Sequence, residues 1–148
     1  MRPARAQARA RLLEYQIGER WRVLVGRSDA DNEELSLRIA RPRDWWFHVH
    51  GVPGSHVVLQ VLTGDEPGRD ALKQAAAIAA YHSKAREAGV VPVSCTRASE
   101  VSKPRGSKLG TVAIRKETVM KVRPSISGLT AREWTSQTGS EPNSDVEG

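Results

Sequence analysis

Hydrophobic and polar positions alternate in short runs along most of this chain, interrupted once by an alanine-dense stretch near its middle. WRVLV (Trp21 to Val25), closed by Gly26, is a β-rich run and is expected as the first strand. DADNEELSLRIAR reads as a turn with a short helix or irregular segment, where Asp31 or Asn32 caps a first turn carrying Glu33 and Glu34. WWFHV and HVVLQVL are expected as two strands flanking Pro53-Gly54. Pro53 suits the second position of a type II turn, and Gly54 is expected to supply the positive φ of the third. After the breaker TGDEPG, a helix is expected from about Asp70 to Ala88, with Asp70 as N-cap and Gly89 as stop. Leu72, Ala75, Ala76, Ala79, Ala80 and Tyr81 give it a smooth face that can lie close to a sheet. VVPVSCT, TVAI and TVMKV read as three more strands, the last two joined by a short turn with Lys116 and Glu117 at its tip. Strands mostly in hairpin order with one long helix predict an α+β fold. The expectation is a single domain: a mostly antiparallel sheet of about five to six strands packed on one long Ala-rich helix, with flexible termini. Residues 1–15 are expected as a basic helix or mobile arm, and the Ser/Thr/Gly-rich acidic stretch TSQTGSEPNSDVEG as a disordered tail.

At 148 residues and 39% hydrophobic content, the chain fits one domain with a packed core and a strongly polar surface. A net charge of +6 points to a polyanionic partner. The cations concentrate in residues 1–27 and 97–123. With Cys95 alone there is neither an internal disulfide nor a cysteine-based zinc site, and a reducing compartment is the simplest setting. No apolar run approaches the roughly 18 residues of a membrane helix, and the arginine-bearing N-terminus has no apolar signal region. A cytoplasmic protein is expected.

Candidate chemistry crowds the stretch DWWFHVHGVPGSHVVLQ, which carries Asp44, His48, His50, Ser55 and His56. Residues two apart on a strand share a face, so Trp46, His48 and His50 are expected on one side and Trp45 with Phe47 on the core side. His48, His50 and His56 together suggest a three-nitrogen metal site of the open kind, and with it an alternative reading as a metal-dependent hydrolase or nuclease. Most histidine pairs on strands are ordinary surface or interface residues, and no cofactor is expected. Ser55 lacks the glycine two residues later that a nucleophile elbow needs, so it reads as a turn residue. KPRGSKLG does not have the phosphate-loop spacing. It does set Lys103, Arg105 and Lys108 among Gly106 and Gly110, a composition suited to a nucleic-acid backbone.

These residues carry a resemblance. D-x-W-[FL]-H, then P-G-S-H-V-[VIL]-[LI], an Ala-rich helix with Ala76 and Ala80 leading to Ser83 and Lys84, a V-P-V strand and K-P-x-G-x-x-x-G follow one another in order. They run from Asp44, Trp46 and His48 through Pro53 to Val58, Ala76 to Lys84 and Val91 to Val93, then to Lys103 and Gly110. Upstream, Val25, Gly26, Arg27, Asn32 and Leu35 match V-G-R-x(4)-N-x-x-L. The pattern resembles the NFACT-R domain, the RNA-binding module of the ribosome-associated quality-control NFACT proteins, over about residues 20–124. The remainder is expected as a basic N-terminal extension (1–19) and a disordered acidic tail (125–148).

The resemblance implies a non-catalytic RNA-binding protein whose partners are tRNA or rRNA and the ribosome or its large subunit. The other parts of the full-length factors have no counterpart here, so it implies a stand-alone module, and tail synthesis is not carried over. In this reading Arg27, Lys84, Lys103, Arg105 and Lys108 contact phosphates. Asp44, Trp46, His48, Ser55 and His56 belong to the more specific part of the site. Histidines at their ordinary pKa, near 6.5, would tighten binding as pH falls.

Overall fold

Leucine and tyrosine at alternate positions of RLLEYQI make Arg11–Ile17 a strand, β1, turned back through Gly18 onto β2, Trp21–Gly26. This comes from a computed structural model that describes residues 10–62 and 64–135. A short helix, α1 (Asp29–Glu34), follows and runs into a π-helical turn at Leu35–Ile39. Its cap is Ser28, whose hydroxyl accepts from the Asp31 amide; neither Asp31 nor Asn32 caps it. Then come β3 (Trp45–Val49), β4 (Val57–Gln60), α2 (Arg69–Tyr81) and β5 (Val91–Arg97). Beyond a single 3-10 turn lie β6 (Val101–Ser102), β7 (Ala113–Ile114), β8 (Thr118–Val122) and β9 (Arg132–Thr135).

Seven strands form one antiparallel sheet in the order β8-β5-β3-β4-β2-β1-β9, and β6 pairs with β7 in a separate two-stranded ribbon. The α+β class and the antiparallel sheet stand, with more strands than the five to six expected and two helices in place of one. WRVLV is the second strand, because the chain before it, expected as helix or arm, already holds β1. The helix-forming alanines and arginines of that stretch lie mostly in residues 1–9, outside the described residues; from Arg11 the alternation Leu12, Glu14 against Leu13, Tyr15 decides for strand. At the other end, residues 132–135 inside the expected tail form the edge strand β9, seated by buried Trp134. Residues 125–131 of that expected tail are also placed, with Ile126 and Leu129 packed on the core, and residues 136–148 lie outside the described residues.

The two faces have separate cores. On one, Val23, Val25, Phe47, Val49, Leu59 and Val93 meet Ala75, Ala76, Ala79 and Ala80 of α2. Alanine suits this helix twice over, through its propensity and because a short side chain lets the backbone approach the sheet. Trp45 packs with Phe47 on this side, as strand alternation predicts. On the other face Leu12, Leu24, Leu35, Trp46, Val58 and Trp134 form a smaller cluster under α1, its π-turn and the β6–β7 ribbon.

Four local expectations are corrected. Helix α2 stops at Tyr81, seven residues before Ala88, since His82 leaves helical geometry at φ −94° and ψ 44°. The hairpin captures the released chain: Ser55 donates its amide to the His82 carbonyl (2.9 Å) and Lys84 to that of Pro53 (3.0 Å). The cap is Gly68, with Asp70 inside the first turn. In the hairpin the positive φ falls at Gly51 (+85°), while Gly54 bridges to Ser83, where an added Cβ would sit 2.8 Å from the Ser83 Cβ. Gly54 is thus required for close approach and not for turn conformation. Finally, TVAI and TVMKV do not form a hairpin: β7 pairs with β6 and β8 with β5, with Lys116 at φ 55° between them.

Candidate nucleic-acid interface

The alternation of β3 sends Trp46 and His48 to the face away from α2, where the neighbouring β5 presents Ser94. Trp46 is 3% exposed, and its indole N–H donates to Ser36 Oγ at 2.8 Å. That hydroxyl also lies 2.7 Å from His56 Nδ1. An indole can only donate, so Ser36 accepts there and is placed to give its own proton to His56, fixing the ring with its hydrogen on Nε2. The His56 backbone amide donates to Asn32 Oδ1 at 3.1 Å, and Gly26 has no side chain where Asn32 presses against it. The π-turn that carries Ser36 and the helix that carries Asn32 thereby lock the ring. His48 stacks beside Trp46 (6.0 Å between centroids) and meets His56 edge-on at 5.3 Å.

Burial dominates the electrostatics of this trio. It pushes His56 down to about 4, helped by His48 and opposed by the Asn32 backbone and Glu33. It also lowers His48, against the Gly54 backbone and with the help of His50. Both rings are neutral at physiological pH, so the expected tightening of binding with falling pH has no source in them.

Around the trio opens a cavity of about 420 Å³. Its far wall is Gly110, Thr111, Val112 and Ile114, and its mouth holds His50, Pro53, Ser94 and Glu117. Ser94 donates to Glu117 Oε2 at 2.6 Å, and His50 Nδ1 stands 3.2 Å from Ser94 Oγ. The glycine-rich loop is held against α1 by Glu33, whose Oε1 accepts from Lys103 Nζ at 2.8 Å and from the Gly110 amide at 2.7 Å. These two donors hold the Glu33 carboxyl below its usual range. Gly110 takes φ +90° with Asp29 close by, which explains a glycine there.

Of the residues picked from the sequence, Trp46, His48 and His56 do come together, lining the cavity with Gly54 and Gly110. Trp46 is floor, too buried to stack on a base. Ser55 is half-buried and ties the hairpin to the end of α2. Asp44 is 1% exposed and its two oxygens accept from the Arg41 and Val61 amides (2.9 and 2.8 Å), so it orders the loop before β3 and is not open to a ligand. Burial, the largest influence, raises its pKa despite those donors. Lys103 is spent on Glu33, and Arg27 pairs with Glu133 at 3.1 Å. Arg105 and Lys108 stand exposed on the loop beside the cavity; Lys84 is exposed past the end of α2. The three-nitrogen metal set does not assemble: no group of three metal-ligating side chains is found among the described residues, and His56 Nδ1 is engaged by Ser36. Ser36, Asn32, Ser94 and Glu117 were missed. Ser94 was findable, since alternation along VPVSCT puts it on the outer face with Pro92 and Thr96. Ser36 carries no such signal, whereas Asn32 stood in the V-G-R-x(4)-N-x-x-L match without a place in the site.

Residues 13–116 match the family described as the NFACT protein RNA binding domain. The chain belongs to this family. Within it, the NFACT RNA-binding domain described here is 40% identical over 102 residues to the Rqc2 homolog RqcH of Bacillus subtilis, covering 69% of this chain and 17% of that protein. It is 36% identical over 120 residues to the Rqc2 homolog RqcH of Streptococcus pneumoniae (80% of this chain, 21% of that one). The chain thus spans about a fifth of the length of these relatives. Among solved structures it is similar to the C-terminal part of the fibronectin/fibrinogen-binding protein of Streptococcus suis, with TM-score 0.72 and 34% identity, over 78% of this chain and 46% of that one. No helix among the described residues is long and apolar enough to cross a membrane.

Proposed function

We propose that this NFACT RNA-binding domain binds tRNA or ribosomal RNA in a ribosome-associated quality-control or translation-linked setting in the cytoplasm, without chemistry of its own. The observation that carries the reading is the cavity with a neutral histidine floor, walled by a glycine loop whose Arg105 and Lys108 are exposed. Neutral imidazoles and the hydroxyl of Ser94 suit ribose hydroxyls and base edges, and the loop cations suit the phosphates that follow. The net charge of +6 supplies attraction at longer range. His48, His56 and Ser94 are the specific part of the site, with Trp46 and Ser55 as supports. Binding measured over a salt series tests this. Arg105→Ala with Lys108→Ala lowers the salt slope for tRNA by about two units, one for each phosphate contact. An unchanged slope and affinity in that double variant would refute the assignment of the loop.

A further inference from the structure

A second cavity, of about 430 Å³, opens at the sheet edge, between the first half of α2 and the chain leaving β8. Lys73 of α2, Lys121 of β8 and Arg123 line it, with Ser125 and Ser127 at its end and no carboxylate in its wall. All three cations are exposed, and among the described residues none has an ion-pair partner. Several other cations are answered by acids, Arg22 by Glu14, Arg43 and Arg97 by Glu66, Lys103 by Glu33, while those without such a partner, among them Lys84, Arg105 and Lys108, do not line this cavity. Like charges gathered around one concavity repel each other, and an entering anion relieves that repulsion. The wall is also fixed: the Ser125 amide donates to the Ala77 carbonyl of α2 (3.2 Å), and Ser127 donates its amide to Ser125 Oγ (3.0 Å).

We infer that this cavity is a second phosphate site for the same RNA, reached by a strand that passes from the histidine cavity around the β8 edge. The inference rests on the RNA-binding reading above. Its geometric basis is the pairing of β5 with β8. Ser94, at the mouth of the histidine cavity, is opposite Val119, and Pro92 is opposite Lys121. Two residues along a strand amount to about 7 Å, so the two cavities flank one narrow edge. An acidic peptide would instead find its backbone partners along β8 itself, whereas the cations offer only side-chain charge, which a ribose-phosphate chain uses in full.

The test is RNA binding by the full chain over a salt series, with single-stranded oligonucleotides of about 4 and about 16 nucleotides. Lys121→Ala with Arg123→Ala is expected to lower the salt slope for the long probe by about two units and leave the short probe unchanged, and Lys73→Ala by about one. The inference is overturned if the long-probe slope is unchanged in these variants while the Arg105/Lys108 double variant still shifts it, an outcome that leaves the primary site intact. It is likewise overturned if the variants lose only binding of an acidic peptide. Should the unmodified chain bind neither of these probes while still binding tRNA, this inference alone is overturned; should it bind no tRNA either, the RNA-binding reading falls with it.

Discussion

Ser36 holds together the floor of the histidine cavity, because one hydroxyl serves both Trp46 Nε1 and His56 Nδ1. Ser36→Ala leaves two buried polar groups unpaired and is expected to cost about 1–3 kcal/mol, read as a lower urea midpoint with unchanged slope. The same floor makes stability depend on pH. His56 sits at about 4 in the folded chain against about 6.5 unfolded, so the unfolded chain takes up the proton first. Its contribution is complete above the unfolded value and is lost as pH falls from 6.5 towards 4, on the order of 3 kcal/mol in all. His82, also near 4 through burial and held 2.8 Å from the Tyr15 hydroxyl, acts in the same direction. Urea midpoints measured from pH 7 to pH 4 are expected to fall steeply in the parent chain and less steeply in His56→Asn, which has no proton to gain. At this scale the trio Trp46, His48 and His56 was legible from alternation and the Pro-Gly turn. Its charge state was not, because burial comes from α1 and the π-turn, some 20 residues upstream of His56.

The elements meet where the hairpin crosses the end of α2. Gly54 lies against Ser83, and the hairpin accepts and donates backbone bonds that the helix would otherwise have kept. Gly54→Ala pushes a Cβ to 2.8 Å from that of Ser83 and is expected to destabilise the chain by about 1–3 kcal/mol, with loss of hydrogen-exchange protection at the Ser55 and Lys84 amides as its local signature. Gly18→Ala, with positive φ but open space around it, is a useful comparison because its cost is conformational alone. The capture of the helix end shows why the expected stop at Gly89 failed. Helix propensity across His82 to Ala88 is adequate, but the competing hydrogen-bond partners belong to a segment almost 30 residues earlier, outside any local window.

For the whole molecule, the sheet closes on itself in sequence terms: β1 sits between β2 and β9, so chain ends far apart in the sequence share an edge. Trp134, 7% exposed, packs with Leu12 and Trp46 in the cluster beneath the histidine cavity. Trp134→Ala is expected to lose about 3–5 kcal/mol and, by loosening that cluster, to weaken RNA binding as well; denaturation and binding measured on the same sample check both. The ion pairs of Glu133 with Arg11 and Arg27 on this edge are exposed and add little beside that burial. Strand periodicity, the alanine helix and the α+β class could be read from the order of residues, since each depends on neighbours within a few positions. So could the ordered motifs that mark an NFACT RNA-binding domain, and the excess of positive charge. Which cations remain open to a ligand, which histidines carry charge, and where strands pair were settled by contacts between distant segments. Lys103 against Glu33, Asp44 under the loop before β3, and Lys73, Lys121 and Arg123 around one cavity, without an ion-pair partner among the described residues, all depend on which far-off group folding brings within hydrogen-bonding reach.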